Sequence, residues 1–209
     1  MNTAETVTKS GVKGRTYAIA ATAVMAAALC IIAPFSVPIG PVPISLATLV
    51  VYLAAYVLGW KMGAVSVLIY LLIGTVGLPV FSGFSGGFAK LAGPTGGYLI
   101  GYVPLALISG LFILLSEKLR RRPAAAAGQT AAAGKGKVFD FIARRLIELA
   151  GMLIGTAVLY TLGTAWFCIL SGSALSKAMT LCVLPFIPGD LIKIFIALVI
   201  GPELRKRIK

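Results

Sequence analysis

The stretch KLAGPTGGYLIGYVPLALISGLFILL, residues 90–115, joins a lysine and a glycine-rich turn to a long oily run. From Gly97 to Leu115 no residue carries a charge. A helix that crosses the hydrocarbon core of a bilayer needs ~17–25 apolar residues, so this run is long enough for one crossing. The turn before it, with Pro94, Gly96 and Gly97, then falls at a membrane surface. Why a lysine stands there depends on which surface that is, and the rest of the chain decides it.

The same pattern repeats outward in both directions. The chain has 209 residues, 59% of them hydrophobic and only 12% charged, with a mean hydropathy of +0.99. Soluble domains are nearer half apolar and a quarter charged. Tyr17–Ala33, Leu46–Gly59, Gly63–Leu78 and Leu149–Leu170 are also free of charge, and Leu181–Ile200 is interrupted by Asp190 and Lys193 alone. The expected architecture is an all-α, six-helix transmembrane bundle. Its spans fall at about 15–33, 45–59, 62–78, 97–116, 147–170 and 181–201, within a single membrane domain over residues 1–209. Residues 117–145 are basic and then alanine-rich, and read as a cytoplasmic linker. Lys9, Lys13 and Arg15 before an apolar run resemble a signal peptide. Removing that run spoils the charge pattern described next, so it reads as a retained helix.

Basic residues accumulate on the cytoplasmic side of membrane proteins. With the N-terminus inside, segments 1–16, 60–62, 116–148 and 201–209 are cytoplasmic and hold 16 of the 19 basic residues. Both termini are then cytoplasmic, in a multi-pass protein of the cell membrane. The formal charge of +13 reflects topology and attraction to membrane lipid, and excludes nucleic acid as the expected partner. Lys90 lies on the outer side, where topology does not call for it.

Several residues carry possible chemistry. Gly93, Thr95, Gly96, Gly97 and Tyr98 form a turn whose free N–H groups open a helix, a place that favours negative charge. Lys90 beside it completes an anion seat; the alternative is an ordinary helix-entry turn with a solvated lysine. Asp190 and Lys193 in PGDLIK stand three apart on one helical face. Charges inside spans cost ~2.5–3.5 kcal/mol each on insertion scales, so the pair faces a wet cavity or fixes helix packing. Phe81, Phe84, Tyr98 and Trp166 are candidates for an apolar wall. In the first span, small residues at intervals of four, Ala18, Thr22 and Ala26 with Ala23 and Ala27, let another helix approach closely. That helix belongs either to the same bundle or to a docking partner. The chain has no histidine and no nucleotide-binding phosphate loop. Cys30, Cys168 and Cys182 lack metal-ligand spacing. No metal, cofactor or catalytic residue is expected, and an acid–base enzyme built on Asp190 and Lys193 is the remote alternative.

Taken in order, GPVPISLATL, GLPVFSGFSGG, KLAGPTGGYLIGY and PGDLIK resemble the motifs of the BioY family, the biotin-binding S components of energy-coupling factor transporters. The match runs from about Gly40 to Lys193. It departs at Ala47, where many members carry glutamine, and at Phe84, where glycine is frequent. The resemblance implies an S-component fold and high-affinity capture of biotin without covalent chemistry. It also implies partners: an energy-coupling transmembrane subunit and a pair of ATPases that hydrolyse ATP. The binding positions it implies are Lys90, the turn through Tyr98, and Asp190 with Lys193. The small-residue face of the first helix resembles the surface on which S components dock. An S component for another small vitamin is the nearest alternative.

Overall fold

The computed structural model describes residues 3–38, 42–121 and 135–208, with side chains described for 16–38, 42–119 and 141–207. The centre of the expected linker, 122–134, lies outside the described residues. The helices are α1 (Thr3–Ile32), α2 (Ala47–Thr75), α3 (Phe88–Ala92), α4 (Gly96–Arg121), α5 (Lys135–Ser171), α6 (Leu175–Cys182) and α7 (Phe186–Ile208). Two-residue strands β1 (Ser36–Val37) and β2 (Ile44–Ser45) pair antiparallel between α1 and α2. Helix reaches into both ends of the expected linker, because α4 continues to Arg121 and α5 begins at Lys135.

Helix α2 is two arms. Gly59 takes φ 76° and ψ −178°, which no other residue type adopts without strain. Beyond it the chain turns back, since a methyl group at Gly63 would lie 3.4 Å from the backbone of both Ala54 and Ala55. In an unbroken helix, positions nine residues apart are ~13 Å apart along the axis. The sequence marks this corner with Trp60-Lys61-Met62 between two charge-free runs.

Contacts along the chain then order the bundle. The first arm of α2 begins with Thr48 beside Asp190 at the start of α7. It ends with Tyr56 beside Glu148 near the start of the apolar part of α5. The second arm returns, so that Gly87 bonds back to the Gly74 carbonyl and Gly83 to that of Pro34, just past α1. Helix α4 runs from Tyr98 at the Asp190 end to Glu117, which pairs with Arg205 at the far end of α7. Helix α5 returns, carrying Glu148, then Thr156 against Tyr52, then Tyr160 against Asp190. Helices α6 and α7 are bent by 48° across a short break and complete the bundle.

The result is a six-helix membrane bundle of α1, the two arms of α2, α4, α5 and the bent pair α6–α7; among the described residues α2, α4 and α5 are each long and apolar enough to cross a membrane, and α6–α7 is a fourth if the pair is one span. Its outer surface is apolar, with Ile19, Val24, Leu72, Ile169 and Phe195 largely exposed, as lipid-facing positions should be. Its interior is close-packed on Leu29, Val51, Tyr52, Val67, Leu105 and Met152. Most hydroxyls inside it, with those of Thr95 and Ser109 among the exceptions, satisfy one another, a carboxylate or a main-chain carbonyl, as in Tyr52–Thr156 (2.6 Å) and Thr156 to Met152 O (2.7 Å), because the bilayer core offers no water to do so. Phe84 takes φ +54°, a region that bulky residues seldom enter, and its ring meets Phe35 edge-on at 5.5 Å.

Candidate ligand-binding site

Helix α7 starts at Phe186, so Pro188 falls in its first turn, where the missing N–H has no helical acceptor to lose. Asp190 follows in the next position but one, and Lys193 lies one turn further. Both are buried, at 4% and 6% exposure, and the Lys193 ammonium lies 2.8 Å from Asp190 Oδ1. Removing two charges from water is costly, and the cost is met only when the remaining hydrogen-bonding positions are also filled.

They are nearly filled here. Thr48 Oγ1 donates to Asp190 Oδ1 at 3.1 Å, and the Tyr160 hydroxyl donates to Oδ2 at 2.6 Å. Lys193 also donates to the Ser45 carbonyl at 2.7 Å. The Ser45 hydroxyl donates in turn to the Ala33 carbonyl at 2.8 Å. This ties the chain before α2 to the end of α1 and to α7. A carboxylate accepts about four hydrogen bonds and an ammonium donates three. Asp190 therefore retains about one acceptor position and Lys193 about one donor, side by side.

A cavity of about 30 Å³ opens on this pair. Its aromatic wall is Tyr98, Tyr102, Tyr160 and Phe186, with the Tyr98 and Phe186 rings stacked at 6.4 Å. Val42 and Pro43 close it from the segment that precedes α2. The Tyr98 hydroxyl is turned to the Cys182 carbonyl (3.1 Å) and Thr164 (3.2 Å), so Tyr98 offers the cavity mainly a ring face.

Of the residues expected from the sequence, the structure brings Tyr98, Asp190 and Lys193 together on this cavity. The others are not on its lining. Lys90 sits half-buried in α3, with no ion-pair partner among the described residues. Gly93 accepts a hydrogen bond from Trp166 Nε1 at 3.0 Å. Thr95 is buried, and its hydroxyl has no partner among the described residues. Gly96 and Gly97 serve close packing: a methyl on Gly97 would lie 2.4 Å from Trp166 Cβ and 2.8 Å from the Leu162 carbonyl. Trp166 thus locks the turn onto α5. Phe81 is fully buried against Tyr70 at 5.5 Å, and Phe84 is exposed.

The small-residue face of α1 divides in two. Thr22 and Ala26 are buried, and Ala18 is half-buried, on the side that packs into the bundle. Ala23 and Ala27 are exposed. Thr22 and Ala26 are therefore taken up by internal packing rather than docking, and of the five residues expected to dock Ala23 and Ala27 are the exposed ones. Sequence reasoning missed Ser45, Thr48, Tyr102 and Tyr160. Tyr102 carried a signal, being one helical turn from Tyr98; a main-chain carbonyl such as that of Ser45 carries none. Among the described residues no cluster of metal-ligating side chains occurs.

Fold and cavity together define a multi-pass membrane protein with a small cavity lined by a buried charge pair near one end of its bundle. The model of the BioY family matches residues 5–209. A probable biotin transporter BioY of Pyrococcus horikoshii is 40% identical over 173 residues, covering 83% of this chain and 86% of that one. The biotin transporter BioY of Thermotoga maritima is 36% identical, over 82% and 85% of the two chains. The crystal structure of an S-component for biotin from an ECF-type ABC transporter superposes with a TM-score of 0.75. It is 29% identical and 93% of each chain is covered. The chain belongs to the BioY family.

Proposed function

We propose that this chain is the biotin-binding S component of an energy-coupling factor transporter. It lies with its basic end and both termini in the cytoplasm and takes up biotin from the opposite face. Transfer inward depends on an energy-coupling transmembrane subunit and a pair of ATPases, which hydrolyse ATP. The chain itself needs no cofactor. The observation that carries this reading is the buried Asp190–Lys193 pair with one acceptor and one donor to spare. A ureido ring offers N–H donors and a carbonyl, which match that pair side by side. Tyr98, Tyr102 and Phe186 suit the thiophane ring and the apolar chain. The valerate carboxylate extends toward the turn that carries Lys90.

A cavity of about 30 Å³ holds roughly one water molecule, whereas ligand pockets run to ~300–1,000 Å³. The lining therefore rearranges to admit the vitamin. Calorimetric titration of the purified protein with biotin, and with other vitamins separately, tests the proposal. Tight binding of biotin alone supports it. Preference for another vitamin would reassign the chain to a different S component.

A further inference from the structure

Three tyrosines line the Asp190 cavity, and one of them differs from the other two. The Tyr98 hydroxyl is turned to the Cys182 carbonyl and Thr164, and the Tyr160 hydroxyl donates to Asp190. Tyr102 follows Tyr98 by one turn of α4 and is buried at 7% exposure. Its hydroxyl has no hydrogen-bond partner among the described residues. Asp190 nevertheless lies close enough to act on it electrostatically. A phenol donates one hydrogen bond and accepts others, and leaving it unpaired away from water is costly.

The hydrogen-bonding capacity of the cavity can be counted. Asp190 keeps about one acceptor position and Lys193 about one donor, once their bonds to Thr48, Tyr160, Ser45 and each other are made. The Thr48 hydroxyl proton is used on Asp190, and the Ser45 hydroxyl proton on Ala33. The carbonyl oxygen of a cyclic urea has two lone pairs. Lys193 fills one. Among the side chains on the lining, Tyr102 alone has a hydroxyl proton still uncommitted for the other.

We propose that Tyr102 is a specificity-determining residue of this site. Its hydroxyl donates to the ring carbonyl of the bound urea, beside Lys193, and so selects for oxygen at that position. The inference rests on the biotin reading above and adds to it a residue that acts through its hydroxyl as well as its ring. Tyr98, whose hydroxyl is already engaged, offers the ring alone.

The test is calorimetric titration of the purified full chain and of Tyr102→Phe with two ligands. One is biotin; the other is 2-thiobiotin, which carries C=S in place of the ring C=O, and sulfur is a weak acceptor. Tyr102→Phe should bind biotin about tenfold more weakly and 2-thiobiotin less than threefold more weakly, so the preference for oxygen shrinks. Its melting temperature without ligand should match or exceed that of the parent, since no bond within the protein is lost. Tyr70→Phe is the control. Tyr70 is equally buried, its hydroxyl likewise has no partner among the described residues, and it is not on the cavity lining; this variant should bind both ligands as the parent does.

Equal loss for the two ligands would make the change one of packing and overturn the proposal, as would the same loss in Tyr70→Phe. A lower melting temperature in Tyr102→Phe, or failure to fold, would show that the hydroxyl is bonded within the protein, with the same consequence. Biotin bound equally well by parent and Tyr102→Phe would overturn the role of Tyr102 alone. A parent that binds neither ligand would overturn the biotin reading itself, and this inference with it.

Discussion

The Lys193 ammonium donates to the Ser45 carbonyl at 2.7 Å across 148 residues of sequence. This contact joins the segment before α2 to the charged turn of α7, and Ser45 is tied onward to Ala33 at the end of α1. The proposed binding site is therefore also a structural knot, and substitutions there should act on stability and on binding. The two effects separate when single and paired substitutions are compared.

Lys193→Met strands the Asp190 carboxylate in the protein interior. Breaking a buried pair from one side costs about 3–5 kcal/mol, so the melting temperature should fall steeply. Adding Asp190→Leu removes the stranded charge, and most of the stability should return. Biotin affinity should not return with it. Melting curves and titrations on the single and double variants check both halves.

Tyr160→Phe keeps the ring and deletes the 2.6 Å hydrogen bond to Asp190. Hydrogen bonds to charged groups contribute about 1.5–3 kcal/mol. Binding should weaken about tenfold, equivalent to about 1.4 kcal/mol, with helical content unchanged by circular dichroism.

Lys90→Ala tests the proposed carboxylate contact, because Lys90 is not on the cavity lining. The variant should bind biotin at least tenfold more weakly, about 1.4 kcal/mol. Biotin amide, which lacks the negative charge, should bind parent and variant alike. Equal loss for acid and amide would remove Lys90 from that role.

Much of the fold was legible because charge is expensive in a bilayer and its absence is easy to see. The same economy exposed Asp190 and Lys193, since a pair of charges in a span demands partners. The partners themselves were not legible. Thr48 and Tyr160 are ordinary helix residues until folding sets them against α7, and a backbone carbonyl has no signature. The glycines were ambiguous for a related reason. A missing side chain permits a ligand to approach or a neighbouring helix to pack, and at Gly97 the neighbour is Trp166. In α1 both small-residue faces are apolar, so sequence cannot say which one meets lipid and which meets α2.

That division of α1 gives opposite expectations for two neighbouring substitutions. Ala26 is 2% exposed, so Ala26→Trp overpacks the bundle, at about 1–3 kcal/mol or more, and should lower both melting temperature and binding. Ala23 is exposed. Ala23→Trp should leave melting and biotin binding unchanged, while uptake by cells that hold the coupling subunit and ATPases should fall.

Gly97→Ala places a methyl group 2.4 Å from Trp166 Cβ. The turn must separate from α5, at about 1–3 kcal/mol, and the Trp166 bond to Gly93 should weaken with it. A red shift of tryptophan fluorescence together with a lower melting temperature checks this.

The central claim is that the Asp190–Lys193 pair holds the vitamin. A crystal structure of the protein with biotin bound tests it most directly. The account predicts the ureido ring within hydrogen-bonding distance of Asp190 and Lys193, in a cavity enlarged between Tyr98, Tyr102 and Phe186. Biotin bound elsewhere, with the Asp190–Lys193–Ser45 contacts and their small cavity unchanged, would contradict it.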